Sequence, residues 1–177
     1  MPAKAKARSH PSTSRRSPAS SNEAIAQLTA DHARVKKMFK QYEELMESRG
    51  KTVGQKKKDL ALQICHELTV HATIEEEIFY PALRAALKDT DLLAEAEVEH
   101  QTAKDLIAQI EGMGDPDEKF DAKVTVLGEY IDHHVKEEQD EIFPKCRKST
   151  MDLNAVGASM AARKEVLTAH SAETIEA

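Results

Sequence analysis

Six residues stand out for what they can do together: His32, His71, Glu75, His100, His134 and Glu138. Each interrupts a stripe of apolar residues that recurs every three or four positions, so each points at the interior of a helical fold. A carboxylate buried without a partner costs several kcal/mol, and an unpaired buried imidazole is unfavourable for the same reason. Six polar side chains turned toward one core therefore need a shared partner. His71 with Glu75, and His134 with Glu138, are four residues apart, which places each pair on one helix face about 6 Å apart along the axis. Imidazoles and carboxylates without thiolate suit iron, manganese or zinc, and two carboxylates can hold two cations close together.

The elements that position these residues are legible as four helical stripes. The first carries Ile25, Leu28, His32, Val35, Phe39, Tyr42 and Met46, with Ser21 or Asn22 as its cap and Arg49-Gly50 as its end. The second runs from about Val53, capped by Thr52, through Leu60, Ile64, Leu68, His71, Glu75, Ile78 and Ala82 toward Lys88 and Asp89. The third starts near Thr90 or Asp91, carries Leu93, Ala96, His100, Ala103, Ile107 and Ile110, and closes at Gly112-Met113-Gly114. Asp115-Pro116 opens the fourth, with Val124, Leu127, Ile131, His134, Glu138 and Ile142 ahead of Pro144. Asp152 to His170 reads as a short, weaker fifth helix. The expected fold is an all-α, up-down-up-down four-helix bundle.

Register supports one shared site. The first turn lies near Lys51, 19 residues after His32 and 20 before His71, so these two share a depth. His71 and His100 share it as well if the second helix proper ends near Pro81, where a kink or end is expected. The chain also repeats itself after about 63 residues: His71-Glu75-Pro81 and His134-Glu138-Pro144 have the same spacing, with Ile-Phe at 78–79 and 142–143. Two helical hairpins related by a pseudo-twofold axis follow from that repeat.

The run His71-Ala-Thr-Ile-Glu75-Glu-Glu-Ile-Phe-Tyr-Pro81 and its counterpart His134-Val-Lys-Glu-Glu138-Gln-Asp-Glu-Ile-Phe-Pro144, together with His32 and His100, resembles the hemerythrin-like HHE cation-binding family. The resemblance covers roughly Asn22 to Lys148. It implies a non-haem di-iron centre of two iron ions inside the bundle, with His32, His71, His100 and His134 as terminal ligands and Glu75 and Glu138 as bridging candidates. Oxygen-carrying hemerythrins have a second histidine one turn from the third-helix ligand, whereas the neighbours of His100 at that spacing are Ala96 and Lys104. Glu97, Glu67 and Tyr130 are the nearest replacements for that ligand. His66 and His133 lie off the seam and read as surface or supporting residues, Asp132 as a residue that orients an imidazole or simply a surface acid, and His10 and His170 as parts of the tails.

Composition sets the outer limits. The 177 residues are 40% hydrophobic but only 4% aromatic, with no Trp, six Gly and six Pro, which disfavours a β-sandwich or barrel. Two cysteines, Cys65 and Cys146, are too few for a disulfide framework and read as reduced, half-buried thiols of a cytoplasmic protein. Residues 1–21 form a Ser/Pro-rich basic arm expected to be disordered; residues 22–148 form the bundle, and residues 149–177 a partly helical extension. The net charge is −6, and with five basic and no acidic residues before residue 23 the body is more acidic still, which argues against nucleic acid as the main partner. The expected partner is a small oxidant such as dioxygen, peroxide or nitric oxide, bound or sensed by the di-iron centre, or iron itself. The alternatives are a di-iron enzyme that decomposes peroxide or reduces nitrogen oxides, and an interaction module with a structural metal such as zinc.

Overall fold

The computed structural model describes residues 22–175 except residue 89, and the side chains only as far as residue 169. The basic arm with His10, the Asp89 end of the second stripe and the His170 side chain lie outside the described residues. Seven α-helices occur among the described residues: α1 (Glu23–Glu47), α2 (Val53–Ile74), α3 (Tyr80–Ala86), α4 (Asp91–Glu111), α5 (Glu118–Glu137), α6 (Phe143–Lys148) and α7 (Leu153–Ile175). Five-residue π-helical turns, Glu75–Phe79 and Glu138–Ile142, join α2 to α3 and α5 to α6. The four rods of the bundle are therefore α1, α2 with α3, α4, and α5 with α6. Helix α1 packs against α2 and α5, and α4 against the same two.

The helices begin and end for local reasons. Neither Asn22 nor Thr52 makes a side-chain cap, so α1 and α2 rest on burial of their apolar faces. Helix α5 starts at Glu118, later than Asp115-Pro116 suggests, because the Asp117 carboxylate accepts the Phe120 N–H at 2.8 Å and sets the first turn there. Gly50, at φ 152°, takes the turn into α2 through backbone space that other residues avoid.

Neither proline ends its helix. Pro81 and Pro144 fall in the first turn after a π-turn, so the wider turn accommodates the donor that each lacks. Tyr80 N–H and Phe143 N–H reach back five residues to the carbonyls of Glu75 and Glu138. Met46, expected on the first seam, is 40% exposed, one residue before α1 ends.

The apolar interior is divided in two. One cluster gathers Leu28, Ile74, Phe79, Leu83, Leu93 and Phe143, and the other Val35, Ile64, Leu68, Ile107, Phe120 and Leu127. The six seam residues form the polar layer between them, all 6% exposed or less. Cys65 and Cys146 are fully buried, and burial pushes both thiols up to about 12. Helix α7 is longer than its weak periodicity suggests. It lies on α1 and α2, adding Leu153 and Met160 to the first cluster, with the Asp152 carboxylate accepting the N–H groups of Asn154 and Ala155. None of the described helices is long and apolar enough to cross a membrane.

Candidate metal centre

The structure brings all six seam residues together. His32 Nε2 lies 3.2 Å from His71 Nε2 and 3.1 Å from Glu138 Oε2. Across the bundle, His100 Nε2 lies 3.2 Å from His134 Nε2. Glu75 Oε2 sits between the two halves, 3.3 Å from both His71 Nε2 and His100 Nε2. Two donor sets result, His32-His71-Glu75-Glu138 and Glu75-His100-His134, with Glu75 common to both.

With each Nε2 turned inward, every Nδ1 faces outward to a side chain of a neighbouring helix. Asp31 on α1 approaches His71 at 3.5 Å, and Glu76 after α2 approaches His100 at 3.0 Å. Glu99 on α4 meets His134 at 2.8 Å, and the Gln139 amide after α5 meets His32 at 3.3 Å. Each rod thus supplies one outer partner to the imidazole of the next, closing a ring around the bundle. For His100 and His134, whose Nδ1 atoms lie within hydrogen-bond distance of a carboxylate, such contacts fix ring orientation and leave Nε2 as the donor atom for a metal. Sequence reasoning missed these four residues, although each adjoins a seam residue in the chain.

The charges of this layer are unresolved by protein groups alone. Both oxygens of Glu75 and of Glu138 are buried without a hydrogen-bond donor. Burial and the neighbouring Glu138 carboxylate push the Glu75 carboxyl well above the usual range. Burial opposes ionisation of Glu138 too, but His32 and His134 outweigh it and hold that carboxyl at about 2. Burial lowers His71, and burial with the facing His134 lowers His100 to about 4, so both imidazoles are neutral donors. Four orphaned carboxylate oxygens among four imidazole nitrogens are a donor set that fits cations.

None of the three suggested replacement ligands joins the centre. Glu97 pairs with Arg84 at 2.6 Å, Glu67 with Arg34 at 2.8 Å, and Tyr130 is 44% exposed. Tyr80 enters instead: its buried hydroxyl lies 3.5 Å from His100 Nε2, and burial beside Glu75 keeps the phenol protonated. Its place in the chain, beside Pro81 at the end of the repeated run, was its only sequence signal. His66 is half-buried on α2, and Asp132 is exposed on α5. His133 is exposed and lies 3.4 Å from Glu99 and 3.3 Å from Glu137. Beside the imidazoles lies a small cavity of about 30 Å³, walled elsewhere mostly by apolar residues, among them Val35, Leu68, Ala103, Ile107 and Ile131, with Asp31, Thr69 and Lys104 the polar exceptions.

A four-helix bundle with a central layer of inward imidazoles and shared carboxylates defines a metal-binding helical protein. Residues 23–146 match the Hemerythrin HHE cation binding domain, and the chain belongs to that family. A crystal structure of a hemerythrin HHE cation-binding domain-containing protein from Mycobacterium kansasii, an Rv2633c homolog, has the same fold. It superposes with a TM-score of 0.70 at 22% identity, covering 86% of this chain and 91% of the other. A protein of Nostoc sp. named DNA nickase is 30% identical over 122 residues, which are 69% of this chain. The match spans only 33% of that relative's length.

Proposed function

We propose that the chain holds two iron ions in the central layer and uses them to bind or sense a small oxidant such as dioxygen, peroxide or nitric oxide. The observation that carries the reading is the cavity of about 30 Å³ against the imidazole face, with mostly apolar side chains on its other walls. It has room for a species of two or three atoms and none for a larger substrate. His32 and His71 with Glu138 hold one ion, His100 and His134 the other, and Glu75 belongs to both donor sets. Zinc suits the same donors but has no redox chemistry, whereas iron, like manganese, supplies the reversible one-electron chemistry that an oxidant needs. The residues around it position and shield: the outer ring holds the imidazoles, and the two apolar clusters exclude bulk water from the layer.

The test is metal content per chain in untagged protein from iron-replete cells, with absorption spectra recorded anaerobically after reduction and again after exposure to dioxygen, nitric oxide or peroxide. About two irons per chain and a spectrum that responds reversibly to one of these molecules is the expected result. Continuous turnover of peroxide would make the protein an enzyme instead, and one zinc with no oxidant response would make the centre structural.

A further inference from the structure

Helix α7 begins after the residues matched to the family, yet its polar contacts converge on one half of the metal centre. Lys164 Nζ donates to Asp31 Oδ1, and Asp31 Oδ2 is the atom that faces His71 Nδ1. One residue earlier, Arg163 grips both oxygens of Glu77, at 2.6 and 3.0 Å, on the π-turn that begins with Glu75. Gln27 on α1 donates to the Gly157 carbonyl at 2.8 Å, holding α7 against the helix that carries Asp31 and His32.

We infer that α7 is a positioning element for the His32–His71 half of the centre, acting on metal through Lys164, Asp31 and His71. The inference rests on the proposed reading of the layer as a metal centre. Asp31 is 4% exposed, so its charge needs a counter-ion. Its other cation, Arg34, is half-exposed and stands 3.3 Å from the same Oδ1 that Lys164 holds. With Lys164 in place, Oδ1 is occupied and Oδ2 stays turned to the imidazole. Without that ammonium the buried carboxylate is free to swing out toward Arg34. That movement takes the carboxylate away from His71 Nδ1, frees the ring to turn, and weakens Nε2 as a donor. The opposite half is held differently: Glu76 behind His100 is neutralised from inside the bundle by Lys104, at 2.5 and 2.7 Å. Dependence on Lys164 is therefore confined to one of the two ion positions.

Anaerobic titration of the metal-free full chain with Co(II), followed by its visible absorption and by calorimetry, tests this. Wild-type protein is expected to take up two ions per chain. In Lys164→Met one of the two binding steps weakens about tenfold while the other is retained, and Lys164→Arg restores it. If Lys164→Met does not fold, the isosteric Asp31→Asn carries the same expectation for the same step. A purely structural role would lower the melting temperature of the metal-free variant and leave both steps within about twofold of wild type; that result, or tighter binding, overturns the role of α7. Wild-type protein that takes up no Co(II) overturns the metal reading itself and this inference with it.

Discussion

At the scale of single residues, the metal-free layer is a set of titrations with opposed signs. His71 and His100 are held below the usual imidazole value, so they bind fewer protons folded than unfolded, and stability is lost as pH falls through about 6.5 toward 4. Glu75 is held above the usual carboxyl value, binds more protons folded than unfolded, and costs stability as pH rises above about 4.5. Each group contributes at most about 1.4 kcal/mol per pH unit, so two histidines outweigh one glutamate below neutrality and Glu75 governs above it. The melting temperature of the metal-free protein should peak near pH 7, and Glu75→Gln should remove the decline from there to about pH 8.5, above which the buried thiols Cys65 and Cys146 add their own. The same substitution should also sharply reduce bound metal, because it removes the carboxylate shared by both donor sets. A metal-free melting profile with the same alkaline slope in Glu75→Gln would remove Glu75 from this account. The six central residues were legible because a polar residue in an apolar stripe is a local signal. Their outer partners were not: Asp31, Glu76, Glu99 and Gln139 each sit one residue off the seam, about 100° around the helix. Reading them requires knowing which rod lies on that side.

At the scale of elements, the stripes specified four rods, but how α7 and the prolines would behave depends on contacts that periodicity does not encode. Helix α7 has almost no amphipathic pattern, and its place is set by one close approach. A Cβ on Gly157 would stand 2.7 Å from Ala24 N and 3.0 Å from the Glu23 carbonyl carbon, both backbone atoms that cannot yield. On Gly128 of α5 a Cβ would meet only the Phe39 ring, at 3.1 Å, and an aromatic side chain can shift by a few tenths of an ångström. Gly157→Ala should therefore cost about 1–3 kcal/mol in urea unfolding. Gly128→Ala should change stability by less than about 1 kcal/mol, because improved helix propensity offsets the squeeze. Equal effects of the two would mean that α7 is not seated against α1 as described. The π-turns were likewise hidden: a proline in a helical pattern signals a break, but a turn of five residues absorbs the missing N–H and lets the rod continue.

Across the whole molecule, the polar layer is a seam of weakness that metal can close. Two apolar clusters lie on either side of it, the one beside α7 including Leu153 and Met160, the other enclosing Phe120 and Leu127. Between them the metal-free chain has five buried carboxylate oxygens without donors, two each on Glu75 and Glu138 and one on Asp31, in a stretch where hydrophobic burial contributes little. Each ion that binds only the folded state adds about 2.7 kcal/mol when free metal is a hundredfold above its dissociation constant. Two ions therefore add about 5 kcal/mol, which for a chain of this size corresponds to a rise in melting temperature of roughly 10–20 °C. The gain should be largest in the middle of the rods. Amide hydrogen exchange around His32, His71, His100 and His134 should slow on metal loading by a larger factor than exchange near Tyr42 or Phe120, which sit deep in the second cluster with or without metal. Uniform slowing along all four rods would show instead that the bundle unfolds only globally and that the layer is no weaker than the clusters around it.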